Sequence, residues 1–343
     1  MKKIGIFTLT DALNYGAFYQ MYALQEYLNE NYDNDYLVTV YSPKESFKGK
    51  LLKYFSYSLK RFYRKSILRI KFNQNMKRVN IKTYTGEHLD IAFFGSDEIW
   101  NIENKSFPND PNFFGLGVNA TKKIAYAPSI GFAKIQSFNL YPELLESIKD
   151  LDAVFYRDNG TKILAEKAGQ KKLTRVVDPT ILYDNWDKYI IPFKSNPSQP
   201  YIAYYSYLSD PPFLETLIKF SKERKLPIIS AGFNTHPWAD ENLALSPWEF
   251  LSFLKNAEYI FTTTFHGTIM STLLEKLVFF SPISHKVKDF STMMRLSEYE
   301  LTEKTTIQDI NKIIDNYQST TIINKKNELK SESQLYIESL FKN

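Results

Sequence analysis

The chain of 343 residues contains no cysteine. That excludes disulfides, thiolate nucleophiles and cysteine-ligated zinc. Histidine is scarce too: His88, His236, His266 and His285 are the full set. No two of them share helical ligand spacing, so a histidine-built metal site is not expected. Glycine numbers only 12, and no G-x-G-x-x-G follows the first strand-like run, which removes the dinucleotide fingerprint. No stretch approaches the roughly 18 apolar residues of a membrane-spanning helix. Met1-Lys2-Lys3 followed by Ile4–Leu9 begins like a secretory leader, but the apolar run stops at Thr10-Asp11, too early for one. The expectation is a cytoplasmic, unprocessed protein.

What is present suits an ordinary globular core: 43% hydrophobic, 24% charged and 16% aromatic residues, including 24 Tyr and 26 Phe. The net charge of +5 is unevenly spread. Between Lys44 and Lys82 there are thirteen Lys or Arg against one acid, Glu45. Leu51, Tyr54, Phe55, Leu59, Phe62, Tyr63 and Leu68 interleave with them. This pattern reads as a basic amphipathic helix. It suits either peripheral contact with an anionic membrane at the inner face of the cell membrane, or a solvated face over a core. No nucleic-acid motif accompanies it, so no nucleic-acid partner is expected.

Strand-like and helix-like segments alternate along the chain. Ile4–Leu9 is a β-branched run, and Phe18, Met21, Leu24 and Leu28 then recur at helical steps. Asp90–Phe94, Lys123–Ala127 and Asp152–Tyr156 read as further strands, and Val176–Thr180 closes the first half. Pro192–Pro200 carries three prolines and reads as a linker. Alternation restarts with strand Tyr201–Leu208 and a helix begun at Ser209–Pro212. Strand Pro227–Ala231, helix Pro247–Lys255, strand Tyr259–Thr264, helix Gly267–Lys276 and strand Val278–Ser281 follow. Such alternation of buried strands and helices predicts a parallel sheet in each half. The expected fold is α/β, with two separately cored Rossmann-like lobes facing across a cleft, as in the second glycosyltransferase fold class (GT-B-like). Residues 1–191 would form the first lobe, 200–323 the second, and 324–343 a C-terminal helix.

Ligands of open parallel sheets bind beyond the carboxyl ends of the strands. Residues there are rich in functional types: Asn14-Tyr15-Gly16, Ser96-Asp97 with Trp100 and Asn101, Ser129, Arg157, and Thr262 to Thr268. His266 lies between a strand end and a helix start, where amide groups and the helix dipole favour an anion. It equally suits a cap or a satisfied core histidine. Asp97 also fits an Asx turn or helix cap, and Arg157 a plain ion pair. Asp33-Asn34-Asp35 and Asp150-Leu151-Asp152 match the D-x-D metal–nucleotide pattern but follow no buried strand, so no metal is expected.

Six segments occur in one order: IGIFTLTDALNYGAFYQMYALQEYL, FFGSDEIWN, IAYAPSIG, Tyr156-Arg157-Asp158, VVDPTILYDNW and FLKNAEYIFTTTFHGTIMS. Together they resemble the polysaccharide pyruvyl transferase family over residues 1 to about 281. The resemblance implies transfer of a pyruvyl (carboxyethylidene) group from phosphoenolpyruvate onto two hydroxyls of a surface-polysaccharide sugar, often lipid-linked, closing a cyclic ketal. No cofactor is implied beyond phosphoenolpyruvate as donor substrate. His266 is then the expected acid–base residue, with Asp97 as its catalytic partner. Arg157, Thr264, Gly267, Thr268, Lys286 and Arg295 are the expected donor side, and Asn14, Tyr15, Gly16, Ser96, Trp100 and Asn101 the acceptor side. Some members of that family carry Arg two positions before the motif histidine. Here Thr264 stands in its place, so donor binding must lean on Arg157, Lys286, Lys288 or Arg295. Two other functions fit the same fold: a glycosyltransferase using a nucleotide sugar, and a non-catalytic carbohydrate-binding scaffold.

Overall fold

The computed structural model describes residues 1–42, 59–105, 109–193 and 197–342. The Lys44–Ser58 part of the basic segment and residues 194–196 of the expected linker lie outside the described residues. Seven parallel strands build the first sheet: β1 (Lys2–Phe7), β2 (Tyr36–Ser42), β3 (Ile81–Thr83), β4 (Leu89–Phe94), β5 (Ala120–Tyr126), β6 (Ala153–Tyr156) and β7 (Leu173–Arg175). Their order is β3-β2-β1-β4-β5-β6-β7, with Ile4 opposite Ile91 and Phe7 opposite Phe94. The central strands are buried on both faces, which is why they read as near-continuous apolar runs. The direction of winding reverses between β1 and β4, and this opens a crevice at their carboxyl ends.

A second parallel sheet holds β8 (Ile202–Tyr205), β9 (Ile228–Ala231), β10 (Glu241–Leu243), β11 (Tyr259–Thr262) and β12 (Val278–Phe280), ordered β10-β9-β8-β11-β12. Its reversal falls between β8 and β11. The α/β architecture with two parallel sheets is therefore as expected. The helices are α1 (Tyr15–Tyr32), α2 (Leu59–Met76), α3 (Pro142–Lys149), α4 (Asn159–Ala168), α5 (Pro179–Leu182) and α6 (Leu214–Arg224). They continue with α7 (Pro247–Asn256), α8 (Phe265–Leu273), α9 (His285–Met294), α10 (Ile307–Asp315) and α11 (Ser319–Ser339).

Val176 and Val177 follow β7, which ends at Arg175, and Asp178 caps the short α5 with Pro179 in its first turn. The two sheets are separate but share a core: one hydrophobic cluster runs from Ile4 and α1 through the second sheet to Ile337, while another covers the other face of the first sheet. The cause is an aromatic stripe on α1. Tyr15 stacks on Phe250 of α7 with ring centres 4.0 Å apart, and Phe18 and Tyr22 meet Trp248 edge-on. The Tyr15 hydroxyl donates to the Leu245 carbonyl and the Tyr19 hydroxyl to that of Pro247. Helix α2 adds a second tie. The Arg64 guanidinium donates to the carbonyls of Gly232, Asn242 and Leu243 at the ends of β9 and β10. Helix α11 returns to the first sheet, where Ser333 Oγ accepts from Val177 N–H at 3.0 Å and Phe341 stacks on Tyr32.

Candidate active site

The two reversal points face each other across one cleft of about 270 Å³. The first sheet contributes Asn14 after β1 and Asp97 and Glu98 after β4. The second contributes Tyr205 and Tyr207 at β8, Thr263 to His266 after β11, and Ile283, Ser284 and Lys286 around the start of α9. Residues from both crevices thus share one space, which is where doubly wound sheets place their ligands.

His266 sits in the first turn of α8, buried to 7% exposure. Thr264 caps that helix, its hydroxyl accepting from Gly267 N–H at 3.0 Å. The imidazole is wedged against α1: a Cβ on Gly16 would lie 2.0 Å from its Nδ1. Its Nε2 has no hydrogen-bond partner and lies 3.6 Å from Asp178 Oδ2. The same Asp178 oxygen accepts from Arg157 Nη1, and Asp178 Oδ1 accepts from the Thr180 amide (3.0 Å) and hydroxyl (2.7 Å). Burial alone would raise the Asp178 carboxyl. The Arg157 guanidinium, then His266 and Thr180, reverse this and hold it well below the usual carboxylate range.

Arg157 follows β6 and is likewise buried. Its guanidinium lies 4.8 Å from the centre of the Phe265 ring, and Nη2 is 3.9 Å from Asp97 Oδ1. Nε and Nη2 have no hydrogen-bond partner, and neither does Asp97 Oδ2. Asp97 holds φ of +70°, a left-handed conformation that costs a non-glycine residue on the order of 1 kcal/mol or more and concentrates at functional sites. Its neighbour Glu98 bridges the lobes: Lys286 Nζ donates to Glu98 Oε1 at 2.5 Å, and Asn101 Nδ2 to Oε2 at 2.9 Å. Burial would raise the Glu98 carboxyl, but Lys286 outweighs it and the net shift is downward. A second contact, Asn159 to Asp289, also ties α9 to the first lobe.

A profile of the polysaccharide pyruvyl transferase family matches residues 14–282. The chain belongs to that family. Compared with curated proteins by sequence, it matches none. Among solved structures, UDP-GlcNAc 2-epimerase from Neisseria meningitidis bound to UDP-GlcNAc superposes over the whole of both chains, with a TM-score of 0.53 at 9% identity. A functionally uncharacterised protein from Klebsiella pneumoniae superposes with a TM-score of 0.50 at 16% identity, covering 88% of this chain and 93% of that one. At such identities the likeness shows a shared GT-B-like fold and nothing of the chemistry.

Several of the expected site residues do not line the cleft. Tyr15 is core, its ring stacked and its hydroxyl satisfied across the lobes. Trp100 is fully buried, donating to Phe113 O and stacking on Phe114. Ser96 donates to Gln20, and Asn101 stands behind Glu98. Thr268 is inside α8, its hydroxyl donating to Thr264 O. Gly267 makes room for neighbours rather than a ligand, since its Cβ would fall 2.3 Å from Thr262 Oγ1. Arg295 caps α9 and lines a separate, larger hollow of about 840 Å³ with Glu298, Asp309 and Lys312. Lys288 is paired with Glu300 on the surface. His266, Asp97, Thr264, Asn14 and Lys286 do line the cleft, with Gly16 beneath the imidazole and Arg157 in the layer behind. Tyr205 and Tyr207, whose hydroxyls are 2.8 Å apart, are cleft residues that the sequence reading passed over. Their place just after a buried strand was the available signal. Asp33 ends α1 and Asp152 accepts from Lys123 N–H, so neither D-x-D match enters the cleft. Among the described residues no three His, Asp or Glu are grouped to hold a metal ion, and no helix is long and apolar enough to cross a membrane.

Proposed function

We propose that this chain transfers a pyruvyl group from phosphoenolpyruvate onto two hydroxyls of a sugar, releasing phosphate and closing a cyclic ketal. The observation that carries the reading is the cleft itself: a buried imidazole with an unpartnered nitrogen, flanked by Arg157, Lys286 and the unpartnered Asp97 oxygen. Its volume of about 270 Å³ is small beside the roughly 300–1,000 Å³ of pockets for drug-sized ligands. That favours a three-carbon phosphate ester over a nucleotide sugar as the buried substrate.

The chemistry follows from the groups available. Protonation of the donor at C3 by His266 Nε2 makes C2 electrophilic. One sugar hydroxyl adds to C2, its proton passing to Asp97. The C2–O bond to phosphate breaks, Asp97 passing its proton to the departing phosphate, and the second hydroxyl closes the ketal as its own proton returns to His266 Nε2. Lys286 meets the donor's anionic end on exchanging Glu98 for it, and Arg157 adds positive charge from behind. This stands in for the cation that Thr264 cannot supply. Tyr207, half-exposed at the mouth, offers a ring face to the sugar, which on this reading belongs to a surface-polysaccharide precursor.

The test is incubation with phosphoenolpyruvate and a panel of hexoses and lipid-linked oligosaccharides, read by phosphate release and by mass. A product heavier by one carboxyethylidene bridge, formed equally in excess EDTA, is expected. His266→Ala should lower kcat by about 10²- to 10⁴-fold. Stabilisation by a nucleotide sugar instead of phosphoenolpyruvate, with a Mg²⁺ or Mn²⁺ requirement, would move the chain to glycosyl transfer. Stabilisation by neither, together with no phosphate release on any acceptor, would refute the reading and leave a carbohydrate-binding scaffold.

A further inference from the structure

Behind the cleft wall, Arg157 and His266 share one neighbour, Asp178, a residue that does not itself line the cleft. Asp178 is 2% exposed. Thr180 fixes its Oδ1 through two hydrogen bonds, which leaves Oδ2 turned to Arg157 Nη1 on one side and His266 Nε2 on the other. The 3.6 Å to Nε2 is beyond hydrogen-bond range but within reach of a strong charge interaction in a dry site. A carboxylate bonded directly to Nε2 would compete with the substrate for its proton. One set back at this distance keeps its charge beside the ring and leaves the Nε2 proton to be given away.

We infer that Asp178 is the positioning residue of this site, one carboxylate oxygen set between the guanidinium and the imidazole while leaving the Nε2 proton transferable. The inference rests on the reading of His266 as the acid. The other charges around His266 do not replace it. Asp97 faces Arg157, Glu98 is engaged by Lys286, and Lys286 lies over the Phe265 ring. Helix α1 presents the neutral Asn14 and Gly16 there. On α7, Glu249 and Lys255 are taken by Lys71 and Asp187, while α5, β11 and β12 carry no charge.

Asp178→Asn keeps the shape and the Thr180 contacts and removes the charge. Two readouts separate positioning from mere stability. In NMR titration of the labelled imidazoles, with His266 assigned by His266→Gln, the His266 midpoint should fall by about one unit or more. In kinetics, kcat should fall about 10²-fold while the donor KM stays level or drops, because the site has lost a negative charge. Asp178→Glu, which restores the charge, should recover part of both. A His266 midpoint within about 0.3 units of wild type, or a kcat within threefold, would overturn the inference. If Asp178→Asn does not fold, Thr180→Ala frees the same carboxylate to turn, and a smaller change of the same sign in both readouts is required. The NMR arm needs no donor or acceptor. A chain with no pyruvyl transfer but a shifted midpoint would therefore defeat the functional reading and leave the placement of Asp178 standing.

Discussion

Gly16→Ala tests whether the position of His266 is set by α1. An added Cβ would lie 2.0 Å from Nδ1, 2.4 Å from Cγ and 2.8 Å from Cε1 of the imidazole. Ordinary contact begins near 3.4 Å, so the ring or the helix must retreat by more than an ångström. Overpacking of this kind costs about 1–3 kcal/mol. Replacing glycine by alanine in a helix returns up to about 1 kcal/mol, and the net loss should be about 0–2 kcal/mol. The protein therefore stays folded, with its melting temperature lowered by only a few degrees. Catalysis should suffer far more, because a misplacement of about 1 Å can cost on the order of 10²-fold in rate.

The assay pairs kcat, from phosphate release with the acceptor found in the panel, with a thermal melt. Gly86→Ala is the control. That residue has φ of +102° with nothing within 4 Å of its Cβ, so alanine there strains the backbone without touching the cleft. The control should lose stability and keep kcat, whereas Gly16→Ala should do nearly the reverse. If Gly16→Ala retains more than about a third of wild-type kcat, the ring is not fixed by α1. If both variants lose rate only in proportion to stability, the wedge is irrelevant.

Arg157→Lys keeps the charge but loses the fork that spans Asp178 and Asp97. The apparent donor affinity should weaken about tenfold, and unchanged affinity would make Arg157 purely structural. Lowering the pH should destabilise the chain through Asp178 and Glu98. Both are held below their ordinary range, so the unfolded state binds protons first. Their stabilisation is complete above the unfolded carboxyl range near pH 4 and is lost as pH falls toward the folded values. A melt series from pH 6 to pH 3 should show a shallower decline in Asp178→Asn, and parallel curves would contradict this. The Lys44–Lys82 segment should carry the chain to phosphatidylglycerol vesicles at about 1 kcal/mol per basic residue near the surface. Co-sedimentation that survives four Lys→Glu changes there would refute membrane contact.

The fold was legible wherever burial writes itself into sequence. Strands β1, β4, β5, β6, β8, β9 and β11 are apolar runs because both sheet faces are covered. Where elements are short the signal is weaker. Val176-Val177 is only an apolar pair, and Asp178 followed by Pro179 marks a helix start, with a capping carboxylate and a proline that needs no amide partner. The shared core escaped for a related reason. Phe18, Met21, Leu24 and Leu28 mark α1 as a helix with an apolar face, but such a stripe does not say which sheet it will cover.

The same distinction explains the site. The strand-end rule points to Asn14, Asp97, Thr264 and His266, which line the cleft, because connectivity alone places such residues in a crevice. It misassigned Tyr15, Trp100 and Ser96 because it fixes position along the chain and not the side chain's direction. A ring near a crevice is still free to turn inward, and burial of its area favours that whenever the polar atom finds a carbonyl. Leu245 O and Phe113 O supply those partners here, and neither is predictable from spacing. The lysine is the converse case. Lys286 belongs to a helix beyond the recognised motifs, and only the closure of α9 onto the first lobe brings its ammonium to Glu98. On the proposed reading, the cation missing at Thr264 comes from a different element through the packing of the lobes. A sequence position can lose its charge here without the cleft losing its own.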